Sequence, residues 1–204
     1  MPEIHFYEPR HGHGLPHDPF KAIIAPRPIG WISSVDREGR MNLAPYSFFN
    51  AFSEQPAIIG FSSHSRKDSQ RNIEETGEFV YNLATRALAE QMCLTSASLP
   101  HGECEFDFAK LAKAPSRIVK PPRVAITPAA LECKLTDIIP IKDLDGQATK
   151  NTLILGQVVG VHIDRTYLTP DGLFDMTLAR TIARCGYLSD YAEIEHLFHM
   201  ERPK

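Results

Sequence analysis

The sequence of this 204-residue chain predicts one mainly β domain, with its strands closed into an antiparallel barrel and only a few helices. Many short β-favouring runs are separated by turn residues along the chain. Helical patterns are few, and strands and helices do not alternate in the regular way that a parallel sheet requires. The glycine fingerprint GxGxxG is missing from the sequence, which argues against a Rossmann fold.

Strands are predicted wherever an apolar or alternating run is bounded by turn residues. The first is an apolar run that ends in the polar turn 36–39. In chain order, the predicted strands are 30–35, 57–61, 78–83, 130–141 and 152–163. The segment 42–50, between the first two strands, is predicted to be a loop, and a turn at 169–172 follows the longest strand.

Three helices are expected from apolar residues at helical spacing and from terminal signals. The first covers 68–76, with Asp68 as its N-cap and Gly77 as its C-terminal stop. A second covers 85–94, and Thr85 is the predicted N-cap. A third, with a weaker pattern, covers 188–200.

The chain divides into an irregular N-terminal arm, residues 1–20, and a single domain, residues 21–204. Histidines at 11, 13 and 17 in the arm have spacing that could hold a metal ion. The surrounding Gly and Pro residues favour a mobile tail instead. The four cysteines are widely spaced and form no CxxC pair, so the sequence predicts no metal site.

Composition limits the partners and the location of the protein. The formal net charge of −3 gives no chain-wide basic footprint for nucleic acid. The longest apolar run, 152–163, contains polar residues and is shorter than the roughly 20 residues that span a bilayer, so no membrane segment is expected. The N-terminus lacks the layout of a signal peptide, and a cytoplasmic protein is therefore expected.

A hydroxyl-rich and doubly basic segment, 62–69, lies between a predicted strand and a predicted helix. Its serines offer hydroxyl groups, Arg66 offers a bidentate fork and Lys67 a point charge, which together suit a phosphate at a helix start. A solvated polar loop is the alternative, and composition alone favours it. The position before a helix, together with the family resemblance given below, favours phosphate contacts. The residues predicted to make them are Ser62, Ser63, Arg66, Lys67 and Ser69.

The segment 42–50 combines small and aromatic residues that can lie against a flat ring. An isoalloxazine needs backbone donors at the edge where negative charge grows on reduction, and Ala44, Ser47 and Phe48 can present N–H groups there. Pro45 has no N–H and serves only the shape of the loop. Phe48 and Phe49 are adjacent, so one is expected in the core and the other against a ring.

Two further positions are candidates for cofactor contacts. Ser33 and Ser34 lie in the first predicted strand, where one hydroxyl should face inward. That hydroxyl, assigned to Ser33, could reach a ribityl chain or a phosphate, but a hydroxyl satisfied within the barrel is an equal alternative. Arg27 precedes this strand, where it could pair with a carboxylate at the barrel rim, and it is expected near the cofactor.

The ordered series of motifs resembles the flavin reductase-like family of FMN-binding split-barrel proteins. It is similar to the branch that holds flavoredoxins and the reductase components of two-component monooxygenases. The matching segments are RPI at 27–29, NLAPYSFF at 42–49, SSHSRKDS at 62–69, TSASLP at 95–100, PPR at 121–123 and ALEC at 130–133. The resemblance covers about residues 20–187, and its strength lies in the order and spacing of the motifs.

The resemblance implies a Greek-key split barrel that forms a homodimer and binds FMN. It also implies that the segment 42–49, which includes Asn42 and Tyr46, lies along the flavin mainly through backbone contacts. The complete set of predicted cofactor-binding residues is Arg27, Ser33, Asn42, Ala44, Pro45, Tyr46, Ser47, Phe48, Ser62, Ser63, Arg66, Lys67 and Ser69.

The predicted function is NAD(P)H-dependent flavin reduction, with NADH or NADPH as the donor and a monooxygenase or another protein as the acceptor. No catalytic residue is assigned, because hydride transfer depends on stacking and orientation and the cofactor supplies the chemistry. A non-catalytic FMN-binding electron carrier or flavin sensor would need the same residues. A structural barrel that has lost its cofactor is a third interpretation, and the motifs do not separate the three.

Overall fold

The computed structural model describes residues 2–100 and 103–203 and confirms a mainly β fold with a few short helices. In these ranges the strands are β1 (Arg27–Pro28), β2 (Gly30–Val35), β3 (Met41–Tyr46), β4 (Phe49–Glu54), β5 (Ala57–His64), β6 (Glu78–Leu83), β7 (Lys113–Ala114), β8 (Arg123–Val124), β9 (Ala129–Lys142), β10 (Ala148–Ile163), β11 (Ile182–Arg184) and β12 (Tyr191–Glu193). The α-helices are α1 (Phe20–Ile23), α2 (Asp68–Thr76), α3 (Ala89–Leu94), α4 (Glu105–Phe108) and α5 (Met176–Ala179). None of these described helices is long and apolar enough to cross a membrane.

Seven strands form the main sheet in the order β3-β2-β6-β9-β10-β5-β4, and every neighbouring pair is antiparallel. Because β6 and the β9–β10 hairpin lie between β2 and β5, the connections cross in the manner of a Greek key. The expectation of a closed barrel is wrong in one respect. In the described ranges, no backbone pairing joins β3 to β4, the two outer strands of the sheet. Only Ser47 and Phe48 join these two outer strands, so the seam of the split barrel lies at that turn.

Strand β2 separates two apolar clusters in the interior. All six of its residues are buried, and successive side chains point to opposite faces. Trp31 belongs to a cluster with Phe106 on the helical side, whereas Ile32 belongs to a cluster with Phe61 inside the sheet. The indole N–H of Trp31 donates to Thr95 Oγ1 at 2.9 Å, so the buried polar atom of this side chain is satisfied.

The sequence predictions agree best with the structure where local signals are strong. The strands at 30–35 and 78–83 and the helix at 68–76 have the predicted bounds. The long strands β9 and β10 extend beyond the predicted apolar runs, because pairing with neighbouring strands continues into polar residues. One example is Asn151, which lies opposite His64 of β5.

Two predicted elements are wrong. The segment 42–50 is not a loop, because β3 and β4 occupy it except for the two residues at the seam. Pro45 is tolerated in β3 because β3 is an edge strand, where one missing donor breaks no ladder bond. The helix predicted at 188–200 is not formed. Instead β12 pairs with β11, with Glu193 opposite Ile182, so tertiary pairing outweighs the weak helical pattern.

The starts of two helices also differ from the predictions. Asp68 is the first residue of α2 and not its N-cap; Lys67 is the N-cap and makes no side-chain capping bond. Asp68 pairs with Arg71 at 2.9 Å, and its charge favours the positive end of the helix dipole. Thr85 precedes a 3-10 turn, Arg86–Leu88, that leads into α3, so the second predicted helix consists of two short pieces.

A buried carboxylate, Glu132 in β9, holds the segment that follows β7. It accepts the backbone N–H groups of Arg117, Ile118 and Val119 at 2.7, 2.6 and 2.9 Å. His162 Nε2 lies 2.5 Å from its Oε1. Burial opposes ionisation of Glu132, but the N–H groups and the imidazole outweigh burial and lower its pKa to about 2. The ionised carboxylate is therefore part of the folded interior.

We expect Glu132→Gln to lower the free energy of unfolding at neutral pH by about 2–4 kcal/mol, because a neutral amide replaces a buried, fully hydrogen-bonded charge. The folded-state pKa is below the ordinary value of 4.5, so ionised Glu132 stabilises the fold above that pH. This contribution is lost as the pH falls toward 2. Urea unfolding should therefore show a smaller difference between parent and variant at pH 3 than at pH 7. Equal losses in Glu132→Gln and the exposed control Glu54→Gln would contradict this role.

Candidate functional site

The turn between β5 and α2, residues 65–67, has a constrained backbone. Ser65 adopts a left-handed φ of 64°, which is uncommon for a residue with a side chain. Its N–H donates to the Lys150 carbonyl at 2.7 Å, and its own carbonyl accepts from the Ser63 hydroxyl at 3.0 Å. The turn therefore enters α2 in one supported shape.

The first turn of α2 offers donors that the protein does not use itself. The N–H groups of Ser69 and Gln70 have no acceptor within the described ranges, as is usual at a helix start. Lys67 is exposed beside them, and Arg66, also exposed, holds Glu74 at 2.7 Å. An exposed ion pair contributes only about 0–1 kcal/mol, so Arg66 is available to a stronger anion. These donors together suit a phosphate group.

A buried hydroxyl network lies beneath this turn and ties it to β3. The Asn42 side-chain amide donates to Ser69 Oγ at 2.7 Å, and the hydroxyls of Ser69 and Ser63 lie near the hydroxyl of Tyr46. Burial raises the pKa of Tyr46 and outweighs the opposing effect of the Ser69 and Ser63 hydroxyls. Asn42, Ser63 and Ser69 are buried and Tyr46 is half-buried, so these side chains support the turn from inside.

The outer edge of β3 determines which backbone donors remain free. The N–H of Leu43 points away from β2, because it donates to Glu105 Oε2 at 3.0 Å. By strand alternation the N–H of Ala44, opposite Ile32, points into the β2–β3 ladder. The prediction that Ala44 offers its N–H to a flavin is therefore wrong. Burial raises the pKa of Glu105, although the bond from Leu43 lowers it.

At the seam, the two adjacent phenylalanines diverge. Phe49 stacks on Tyr81 with ring centroids 4.9 Å apart and packs against the inner cluster, whereas Phe48 is 40% exposed. The Phe48 carbonyl accepts the Ser62 N–H at 2.8 Å, which joins the end of β5 to the seam. The Ser47 and Phe48 N–H groups have no acceptor in the described part of the chain, so they are the free donors of this region.

A cavity of about 980 Å³ opens beside the seam, and Arg27, Pro45 and Ser47 contribute to its lining. Arg27 is only 7% exposed, and its guanidinium donates to the carbonyls of Lys21 and Ile24. Its Nε is buried and has no partner among the described residues. Arg27 thus fixes the segment before β1 as one wall of the cavity, and its hydrogen-bond partners in the described ranges are carbonyls and not a carboxylate.

Ser33 is a predicted cofactor residue that the structure places elsewhere. Its side chain is fully buried and donates to the Pro122 carbonyl at 2.5 Å. Ser34 is equally buried and accepts from the Asn72 side chain at 3.2 Å. Both hydroxyls are satisfied within the protein, so the alternative interpretation of this strand is the one that the structure supports.

Two supporting residues were missed by the sequence reasoning. Glu105 caps the β3 edge, and Asn151 donates to Ser62 Oγ at 3.0 Å while its amide oxygen faces His64 at 3.2 Å. Their partners are 62 and 89 positions away in the chain, so no local pattern indicates them. No group of three or more His, Cys, Asp or Glu side chains in the described ranges could hold a metal ion.

Comparison with known proteins places this site in a family context. A family model described as "Flavin reductase like domain" matches residues 24–178, which include the seam and the turn before α2. A relative from Deinococcus radiodurans, named only as an uncharacterized protein, is 35% identical over 192 residues. The match covers 89% of this chain and 82% of the relative.

Two solved structures share the fold over most of the chain. Nitrilotriacetate monooxygenase component B from Bacillus cereus is 28% identical with a TM-score of 0.87, and the match covers 98% of this chain and 100% of that one. Flavoredoxin of Desulfovibrio vulgaris (Miyazaki F) is 23% identical with a TM-score of 0.75, covering 86% and 90%. Because the flavoredoxin is only 23% identical, its likeness to this chain shows a shared fold and nothing more.

We expect Glu105→Ala to lower the free energy of unfolding by about 1–3 kcal/mol, because the Leu43 N–H is left without an acceptor at a buried edge. Glu105→Gln keeps an acceptor oxygen and should lose less. Urea unfolding at neutral pH, followed by far-UV circular dichroism, gives both values. A loss in Glu105→Ala no larger than that in Glu105→Gln would show that this hydrogen bond does not hold β3.

Proposed function

Because the chain belongs to the flavin reductase-like family, we propose that it is an FMN-binding oxidoreductase with NADH or NADPH as its electron donor. Family membership supports a flavin-related oxidoreductase or carrier. The observation that carries the FMN assignment is the supported turn before α2, where cationic side chains and free N–H groups meet beside β3. The proposed acceptor is a monooxygenase or another electron-accepting protein.

The residues at this turn fit the phosphate of FMN. Lys67 and Arg66 would supply positive charge, and the N–H groups of Ser69 and Gln70 would donate to phosphate oxygens. The buried hydroxyls beneath the turn would keep these donors in place. Because phosphate contacts of this kind need fixed geometry, the left-handed Ser65 is consistent with a turn shaped for a ligand.

The seam would hold the ring. The free N–H groups of Ser47 and Phe48 can donate to an isoalloxazine edge where negative charge develops, which the Ala44 N–H cannot do. Bound FMN would supply the hydride-accepting chemistry, and the protein would bind and orient the reactants. The cavity of about 980 Å³ beside Ser47 has room for the nicotinamide end of the donor.

Addition of NADH or NADPH to the FMN-loaded protein without oxygen should bleach the oxidised flavin absorbance on a turnover timescale. This test separates the proposal from its main alternative, an FMN-binding electron carrier. A carrier would keep its yellow colour with both nucleotides and lose it with dithionite. A protein that binds no FMN would remove both interpretations.

FMN should bind at least about tenfold more tightly than riboflavin, since charge-assisted phosphate contacts contribute about 1.5–3 kcal/mol. The double variant Arg66→Ala/Lys67→Ala should weaken FMN binding and leave riboflavin binding nearly unchanged. Titration followed by flavin fluorescence gives both affinities. The control is Arg37→Ala/Lys134→Ala, which removes two exposed cations elsewhere. Equal affinity of the parent for FMN and riboflavin would rule out the phosphate site.

We also infer a homodimer that covers the seam. Phe48, Phe52 and Ile141 are 40%, 53% and 38% exposed and line a depression of about 500 Å³. Such an apolar patch beside the ring site suits an isologous interface. Sedimentation should show a dimer, and Phe52→Glu should shift it toward monomer and weaken FMN, whereas the exposed control Leu173→Glu should not. A monomer that binds FMN fully would contradict the inference.

A further inference from the structure

A second cavity, of about 480 Å³, lies where the segment after β7 meets β9 and the end of β10. None of the residues assigned above to the flavin site lines it. Its charged and polar lining residues are Arg117, Arg123, Thr127, Glu132, His162 and Asp164. The cavity therefore offers a site that the proposed oxidoreductase function does not use.

The two carboxylates of this cavity are occupied by the protein itself. Glu132 is 1% exposed and bonds to three backbone N–H groups and to His162. Asp164 accepts the N–H and the hydroxyl of Thr166 at the following 3-10 turn. Both carboxylates therefore accept hydrogen bonds from other groups, and neither pairs with an arginine of the cavity.

The two arginines of the cavity, Arg117 and Arg123, are not paired with carboxylates of the described chain. In the described ranges, no carboxylate lies within ion-pair distance of Arg117 or Arg123. The Arg123 Nε is buried, and no described residue accepts its N–H. Buried donors are normally paired, so this atom indicates an acceptor that the chain does not provide. Two guanidinium forks facing one cavity suit a carboxylate or phosphate, which they can bind through paired N–H groups.

Apolar side chains complete the lining. Ile118, Val161 and Ile163 are 51%, 59% and 43% exposed there, although each is large and hydrophobic. Contact with an apolar body would remove this surface from water, whereas a bare inorganic ion would leave it exposed. The cavity thus joins an anion-binding end to an apolar wall.

We propose that this cavity binds a small organic oxyanion, with its charged group on Arg117 and Arg123 and its apolar body against Ile118, Val161 and Ile163. The proposal does not depend on flavin binding. An aromatic carboxylate meets both requirements, and the volume of about 480 Å³ lies within the range of ligand pockets in proteins.

Calorimetric titration of the FMN-saturated full-length protein with benzoate, benzamide and inorganic phosphate tests the two halves of the site. Benzoate should bind with one site per chain. Benzamide, which lacks the charge, and phosphate, which lacks the apolar body, should each bind at least about tenfold more weakly. Equal binding of benzoate and benzamide, or no benzoate binding, would overturn the proposal.

Substitutions of single arginines test where benzoate binds. Arg123→Gln should weaken benzoate at least about tenfold, and Arg117→Gln, an exposed position that leaves folding intact, should weaken it in the same direction. Arg165→Gln, an exposed arginine outside the lining, is the matched control. Arg184 lines the cavity of about 980 Å³ beside the seam, so Arg184→Gln tests for benzoate binding there. Loss of binding in Arg184→Gln but not in the Arg117 and Arg123 variants would place benzoate beside the flavin and overturn the assignment.

Discussion

One covalent constraint shapes this fold: two residues alone connect the outer strands β3 and β4 of a seven-stranded sheet. A chain reaches at most roughly 3.3–3.6 Å per residue, so the two edges must approach each other and the sheet must curl. The Ser62 N–H then bonds to the carbonyl of Phe48 within that link. The seam and the end of β5 are neighbours for this reason, and the candidate site follows from the closure of the sheet.

Much of the fold could be predicted from the sequence because its signals are local. Burial on both faces makes β2 a continuous run, and Gly77, with a φ of 73°, ends α2 where the sequence indicates. Whether a strand lies at the edge of a sheet depends on pairing across the fold, so the local sequence does not show it. The sequence predicts a loop at 42–50, and only its pairing with β2 and its outer position in the sheet show that it is largely strand.

The candidate site could be predicted in composition but not in the roles of its residues. The serines of the segment 62–69 do converge at one turn, yet Ser63 and Ser69 are buried, and Ser69 accepts a hydrogen bond from Asn42. A sequence shows that hydroxyls are present; the strand register decides whether they face a ligand or the interior. Glu105 and Asn151 act through contacts across the fold, for which no spacing rule exists.

Trp31 is the only tryptophan of the chain, and its ring is fully buried with its N–H bonded to Thr95. Thr95 lies among Met92, Cys93 and Ser96, which line the cavity of about 980 Å³ beside the seam. A lone indole in this setting is an intrinsic optical probe, whose emission reports on one known position. A flavin absorbs where tryptophan emits, so quenching of this emission would register a flavin bound at the nearby seam without any added label.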